Sequence, residues 1–354
     1  MSGITLYALY DRISVFHSLA PFLFSRHSKL FTFTDSAEYC LKRDPNDTVI
    51  MVRQFLKPDV VDTDLLSRIR EKYRRVVFFN GNAGGGIPRL EVLPLVDRFY
   101  AKALFRDRAL YGRALYGGEL YSDHAHRAYG ITDPAERPRA TESRPEQLAK
   151  LRLSWNIGVG DYPRRKLVQR AGVAVARTAG LGMVRPFYNR RNLSWPQQTA
   201  RDIDVHARID LVSKPSVAHH RRLILDAISG DPRFLTGRVG QKQYNAELSR
   251  SRVTLSPFGW GELCLRDFEA VLAGSLLLKP DMSHLETWPE VFVPGESYVA
   301  FEWDGTDVVE TAAHYLENEA ERARIARAAY DTYLEQVSRV EERVEAVLSD
   351  IDTI

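Results

Sequence analysis

Arg266 and Glu269 lie one turn apart in the segment SPFGWGELCLRDFEAVLAGSLLLKP, which runs from Ser256 to Pro280. Residues three apart on a helix share a face. The apolar run RVTLSPF reads as a buried strand and Cys264 to Ala273 as a helix, which leaves Phe258, Gly259, Trp260 and Gly261 in the turn between them. Two glycines let a backbone come close to a ligand, and a helix N-terminus offers N–H groups and partial positive charge to a diphosphate. Arg266 can counter phosphate charge, and the carboxylate of Glu269 can accept both hydroxyls of a ribose. Glu262 is either a partner of the helix dipole or a reacting group. Trp260, set between glycines, suits a surface or ligand face, and Cys264 suits a small buried hydrophobe.

A second set of charges stands nearby. Lys214, His219, His220, Arg221 and Arg222 fall where a strand meets its helix. An Arg or Lys there can stabilise the charge on a departing pyrophosphate, and the bland alternative is a solvated helix face. Lys279, Asp281 and His284 follow the strand SLLLKP, again at a carboxyl end. In the first half, Asn80 to Gly86 (NGNAGGG) follows the strand RVVFF; a G-x-G-x-x-G fingerprint fails there because position 83 is Ala and Pro88 precedes any helix. That stretch reads instead as a ligand-facing loop at a cleft. Tyr10 and Asp11 follow the first strand and are further cleft candidates, Asp11 among the catalytic ones. Asp62-Thr63-Asp64, Asp202-Ile203-Asp204 and Asp350-Ile351-Asp352 each form an Asp-x-Asp string, but none follows a strand in the setting that would hold a metal. No metal site is expected. Asp62 and Asp64 read as helix caps.

These groups need a scaffold, and the sequence outlines one. The first half alternates ITLYAL, LFTFT, TVIMVRQF and RVVFFNG with helical patterns at Val15 to Phe24 and Asp62 to Lys72. That rhythm argues for βαβ units and a mostly parallel sheet. The polar stretches GITDPAERPRATESRP and RPFYNRRNLSWPQQTARD interrupt it, and the second is the preferred domain boundary. Alternation then resumes with the strand ARIDLVSK, a helix from Val217 to Ile228, RFLTG, a helix from Gln241 to Ser249, RVTLSPF, SLLLKP and SYVAFEW. A helical region follows from Asp307 to about Asp350, with a break near Ser338. The expected domains are 1–195, 196–335, and a C-terminal helix at 336–354.

Composition narrows the functional classes. With 354 residues, 44% hydrophobic and 27% charged, the chain is of ordinary globular make-up and long enough for two cores. A net charge of +3 from 49 basic and 46 acidic side chains creates no field that calls for nucleic acid. Cys40 and Cys264 lie in no metal spacing and suit a reducing compartment. No secretory signal and no run of eighteen apolar residues is seen, so a cytoplasmic location is expected, with the inner membrane face as its extension.

The strand, Gly turn, Arg-x-x-Glu-Ala and Ala-Gly-Ser-Leu-Leu-Leu sequence resembles the C-terminal domain of GT-B glycosyltransferases, in particular the exostosin-like and family-1-like groups. The resemblance covers roughly Arg208 to Asp304. It implies an α/β fold of two Rossmann-like domains facing across a cleft, with C-terminal helices packing back. It also implies a nucleotide-sugar donor, UDP-, GDP- or similar, with no other cofactor. By this resemblance Glu269 binds the ribose, the turn glycines and following helix hold the diphosphate sugar, and Arg266 matches the exostosin-like arginine. Many retaining members carry two glutamates with seven residues between them, whereas Glu262 and Glu269 have six. The implied activity is sugar transfer to a hydroxyl of a glycan, lipid-linked or protein acceptor. A nucleotide- or carbohydrate-binding module without turnover is the alternative. Arg185, Arg190 and Arg191 with Phe187, Tyr188 and Trp195 form a basic-aromatic patch suited to anionic headgroups, or else a solvated linker.

Overall fold

The computed structural model describes residues 3–8, 13–52, 62–87, 89–134, 140–159, 171–172, 174–175, 178–180, 183, 193–196 and 200–354. Asp11, Tyr10 and the arginines and aromatics at 185–191 lie outside them. Two parallel sheets carry the chain. The first contains β1 (Ile4–Ala8), β2 (Phe31–Thr34), β3 (Thr48–Val52), β4 (Arg75–Phe79), β5 (Arg98–Ala101) and β7 (Leu151–Leu153), in the spatial order β2-β1-β3-β4-β5-β7. β1 and β3 are buried along their whole length, as expected for a parallel sheet covered on both faces. Leu6, Ile50 and Phe79 face one core and Tyr7, Met51 and Phe78 the other.

The second sheet contains β8 (Ile203–His206), β9 (Phe234–Leu235), β10 (Ser251–Leu255), β11 (Leu276–Pro280) and β13 (Val299–Phe301), ordered β13-β11-β10-β8-β9. Counted in chain order, this is the 2-1-3-4-5 arrangement, and the first sheet begins with the same 2-1-3-4-5 order. In such sheets the chain reverses direction between the first and third strands, and ligands bind outside the carboxyl ends there. In the second sheet that point lies between β8 and β10. The strand expected at ARIDLVSK is displaced: β8 pairs through Ile203–Ser251 and Val205–Val253, and residues after His206 leave the sheet. The alternation continues past the strand, but Arg208 turns aside to bond Glu247 through both oxygens, at 2.8 and 2.7 Å.

Three features join the halves. β6 (Ala103–Phe105) pairs antiparallel with β12 (Leu285–Thr287). One apolar core runs without interruption from Phe78 and Phe105 to Phe258, Phe268 and Leu285. The last helix, Val340–Asp352, sets Val344, Val347 and Leu348 against Leu19, Phe22 and Leu23 of the first half. The helical region breaks at Asn318 as well as near Ser338, giving helices Val308–Glu317, Glu319–Ser338 and Val340–Asp352. Among the described residues, no helix is long and apolar enough to cross a membrane.

The Asp-x-Asp strings serve the scaffold. Asp62 accepts the N–H of Leu65 as an N-cap at 2.9 Å. Asp202 pairs with Arg250, and Asp204 with Arg252 at 2.8 Å. Asp350 receives Tyr100 Oη at 2.6 Å and Arg98 Nε at 3.1 Å. Among the described residues, no group of three His, Cys, Asp or Glu side chains is arranged to hold a metal ion.

Candidate active site

The loop 256–264 leaves β10 at the reversal point of the second sheet, and one buried carboxylate shapes it. Asp267 accepts Ser256 Oγ at 2.6 Å, the Cys264 N–H at 2.8 Å and Lys279 Nζ at 3.1 Å, with both ionic side chains fully buried. Asp267 stands three residues after the cap residue Cys264, which closes a capping box on the helix Leu265–Leu272. Lys279 is therefore enclosed in the wall, its ammonium 5.4 Å above the Phe258 ring. Phe258 is fully buried and stacks on His220, with ring centres 5.0 Å apart and planes 18° apart.

Arg221 and His220 tie the first helix of this half, Pro215–Ala227, to the same loop. Arg221 donates to the carbonyls of Phe258 at 3.0 Å and Asp210 at 2.6 Å, and lies 3.5 Å from the Cβ position of Gly259. Burial holds its guanidinium below the ordinary range. Arg222 is exposed on the outer face of the helix. His220 accepts the N–H of Phe258 at 3.2 Å, a bond that requires a neutral imidazole, and burial with the nearby Lys279 charge pushes its pKa down to about 3. Burial and the Arg266 charge push His206 down to about 4.

These two histidines set an acid limit. Each has a folded pKa far below its unfolded value near 6.5, so stability is complete above that value and is lost as pH falls from it toward 4. At about pH 5.5 the pair should cost roughly 2–3 kcal/mol relative to about pH 7.5, at ~1.4 kcal/mol per pKa unit crossed. Urea unfolding followed across that range checks this. Replacing His220 with glutamine should remove about half of the pH dependence, and an unchanged slope would contradict it.

Toward β9, the switch-point loops expose a polar cluster. Arg266 donates to the Arg208 carbonyl at 2.6 Å, and its buried Nε lacks a hydrogen-bond partner among the described residues. Glu269, half-buried on the same helix face, accepts Tyr244 Oη at 3.0 Å. Burial and the Glu269 charge raise the Tyr244 phenol well above its usual range. Trp260, at 76% exposure, is the most solvent-open aromatic of the loop.

Toward the first sheet, the loop meets Asn80 to Gly86. The Leu263 N–H donates to Ala83 O at 2.8 Å, and Tyr121 Oη donates to Gly259 O at 3.1 Å. A Cβ on Gly261 would lie 2.6 Å from both the carbon and the oxygen of the Ala83 carbonyl. Gly261 is thus required by backbone packing between the halves. Glu262 is completely buried; its carboxylate accepts the Gly85 N–H at 3.2 Å and lies 3.3 Å from His284 Nε2. Glu119 accepts the Gly86 N–H at 2.9 Å, and a Cβ on Gly84 would collide with both carboxylates. Burial works against ionisation of Glu262, but the hydrogen bond and charge of His284, with a hydrogen bond to Glu119, hold its carboxyl below the ordinary range. The buried His284 Nδ1 and Asn80 Nδ2 have no hydrogen-bond partner among the described residues.

Some of the N–H donors beside the two helix N-termini are engaged within the protein. Cys264 N–H is taken by Asp267 and Leu263 N–H by Ala83, which leaves the next turn. At the helix Pro215–Ala227, Asp133 of the first half accepts both the N–H and the hydroxyl of Ser216 at 2.7 Å, and Lys214 Nζ lies 3.4 Å from it. Glu119, Asp133, Arg208, Tyr244 and Asp267 are the site groups missed in the sequence. Asp267 alone had a local signal, its place three residues after a helix start.

Residues 205–349 match the family model described as glycosyl transferase-like. That match spans the second sheet and the helices that follow it. No curated protein sequence matches the chain. The structure of Anabaena Alr3699/HepE in complex with UDP shares the GT-B fold at a TM-score of 0.50, with 10% identity over 99% of this chain and 100% of that one. An alpha,alpha-trehalose-phosphate synthase (UDP-forming) from Burkholderia vietnamiensis aligns at a TM-score of 0.43, with 12% identity over 98% of this chain and 86% of that one. In the GT-B setting the observed parallel α/β architecture is the expected one, with two doubly wound sheets and helices that pack back.

Proposed function

We propose that this chain transfers a sugar from a nucleoside diphosphate donor to an acceptor hydroxyl, with 196–335 as the donor half and 1–195 as the acceptor half. The observation that supports it most is the strand order of the second sheet. It puts Arg208, the loop 256–264, Arg266 and Glu269 together at the reversal point, facing Gly81 to Gly86 of the other half. Glu269 and Tyr244 would take the ribose hydroxyls, and Arg266, through its unpartnered Nε, would draw the diphosphate. Glu262, Glu119 and His284 mark the reacting end. There the bond from the anomeric carbon to the diphosphate oxygen breaks, the acceptor oxygen forms the new bond, and His284 Nδ1 takes the hydroxyl proton. Stabilising charge on the departing diphosphate would be the main catalytic term. The acceptor would be a glycan, a glycolipid or a protein, and the reaction would take place in the cytoplasm or at the inner face of the membrane.

Incubation with a panel of UDP- and GDP-sugars tests this. Release of nucleoside diphosphate is expected from the native chain, falling on the order of 10²-fold or more in Glu269→Ala and Arg266→Ala. Nucleotide binding without release under any acceptor would make it a non-catalytic binding module. Absence of both would end the assignment.

A further inference from the structure

At the opposite end of the second sheet lies a cavity of about 490 Å³. Its walls come from Trp195 and Arg201 before β8, Arg252 in β10, and Glu319, Arg322 and Ala326 on the helix Glu319–Ser338. These residues sit at the amino ends of the strands, whereas Arg208 and the loop 256–264 sit at their carboxyl ends. The cavity is therefore independent of the transfer site.

Its charge is unbalanced. Arg201 donates to the carbonyls of Ser251 and, at 2.7 Å, Ala273, and has no carboxylate partner among the described residues. Arg322 is only 7% exposed and donates to the carbonyls of Tyr315 at 2.8 Å and Leu316 at 3.2 Å. Its nearest carboxylate, Glu319, is 3.8 Å away and 85% exposed. Arg252 pairs with Asp204 at 2.8 Å and lies close enough to oppose the Arg322 charge. Burial is the main cause that holds both Arg201 and Arg322 below the ordinary guanidinium range; the Arg322 charge adds to it at Arg201 and the Arg252 charge at Arg322, where Glu319 and Asp204 act the other way. Trp195 adds an apolar wall, fixed edge-on against Tyr330 at 4.8 Å.

Buried guanidiniums fixed by carbonyls, with charge left over around an open volume, suit an anion that accepts several N–H bonds at once. The volume exceeds a simple ion and fits a small organic molecule. We propose that this cavity binds a phosphomonoester, its phosphate toward Arg201, Arg252 and Arg322 and its organic part along Trp195. Such a group is offered by a free sugar phosphate or by a phosphate-headed lipid.

Isothermal titration of the full chain with glucose 6-phosphate, and with glucose as the neutral control, tests the first source. Sedimentation with phosphatidylcholine vesicles, with and without phosphatidic acid, tests the second. Saturable binding in either arm, absent from its control, is expected. Arg322→Gln should weaken it by roughly tenfold or more. Because Arg322 also holds backbone carbonyls, a second variant avoids the core: Ala323→Glu places a carboxylate on an exposed position of the cavity wall and should weaken binding to a similar degree. UDP binding at the other end of the sheet should stay unchanged in Ala323→Glu. No saturable binding in either arm, or binding indifferent to Ala323→Glu, overturns the proposal.

Discussion

Asp267→Asn should destabilise the protein by about 3–5 kcal/mol, the scale for removing one partner of a buried ion pair. The substitution keeps the size of the side chain but leaves the Lys279 ammonium, fully buried, without its countercharge. It also weakens the bonds that fix Ser256 and Cys264. Urea unfolding gives the value. The double variant Asp267→Asn with Lys279→Met should recover much of the loss, because it removes the unpaired charge as well. If the two changes simply add, the pair is not the determinant. The same cycle addresses ligand contact. A lysine sealed under Phe258 reaches nucleotide only through the loop it supports, so the double variant should turn over donor within about tenfold of the native rate, a loss of roughly 1.4 kcal/mol.

Much of this architecture was legible because it is local. The apolar runs RVTL and LLLKP are short, β-rich and bounded by turns, and they became β10 and β11. The glycine turn and the arginine and glutamate after it fall at the reversal point because doubly wound topology leaves few alternatives. A lysine ending an otherwise apolar strand was itself a signal, since a buried ammonium needs a carboxylate, although Asp281 lies nearer in the sequence than Asp267, which supplies it. Other features depend on contacts over long separations. Nothing in YGGELYSDH indicates that Glu119 meets Glu262, and nothing in KALF or HLET indicates that β6 pairs with β12. The Asp-x-Asp strings show the converse: short matches that the fold uses for caps and surface ion pairs. Gly261 was read as making room for a ligand, and the atom nearest its missing Cβ belongs to the opposite loop.

That contact carries the second large effect. In Gly261→Ala the new methyl would lie 2.6 Å from the Ala83 carbonyl and 3.1 Å from the Gly84 nitrogen. Both are backbone atoms, so neither loop can yield by turning a side chain. The loops must separate, which lengthens the Leu263–Ala83 hydrogen bond and moves Glu262 away from Gly85 and His284. Overpacking of this kind costs about 1–3 kcal/mol, within what a two-domain protein tolerates. The effect on turnover should be larger, because a shift of about 1 Å between groups that act together can reduce rate on the order of 10²-fold. The expected result is a folded variant whose nucleotide affinity stays near native, since Arg266, Tyr244 and Glu269 lie on the other side of the loop, while sugar transfer drops by that factor. Near-native transfer in Gly261→Ala would show that the contact between the two loops does not set the reacting geometry.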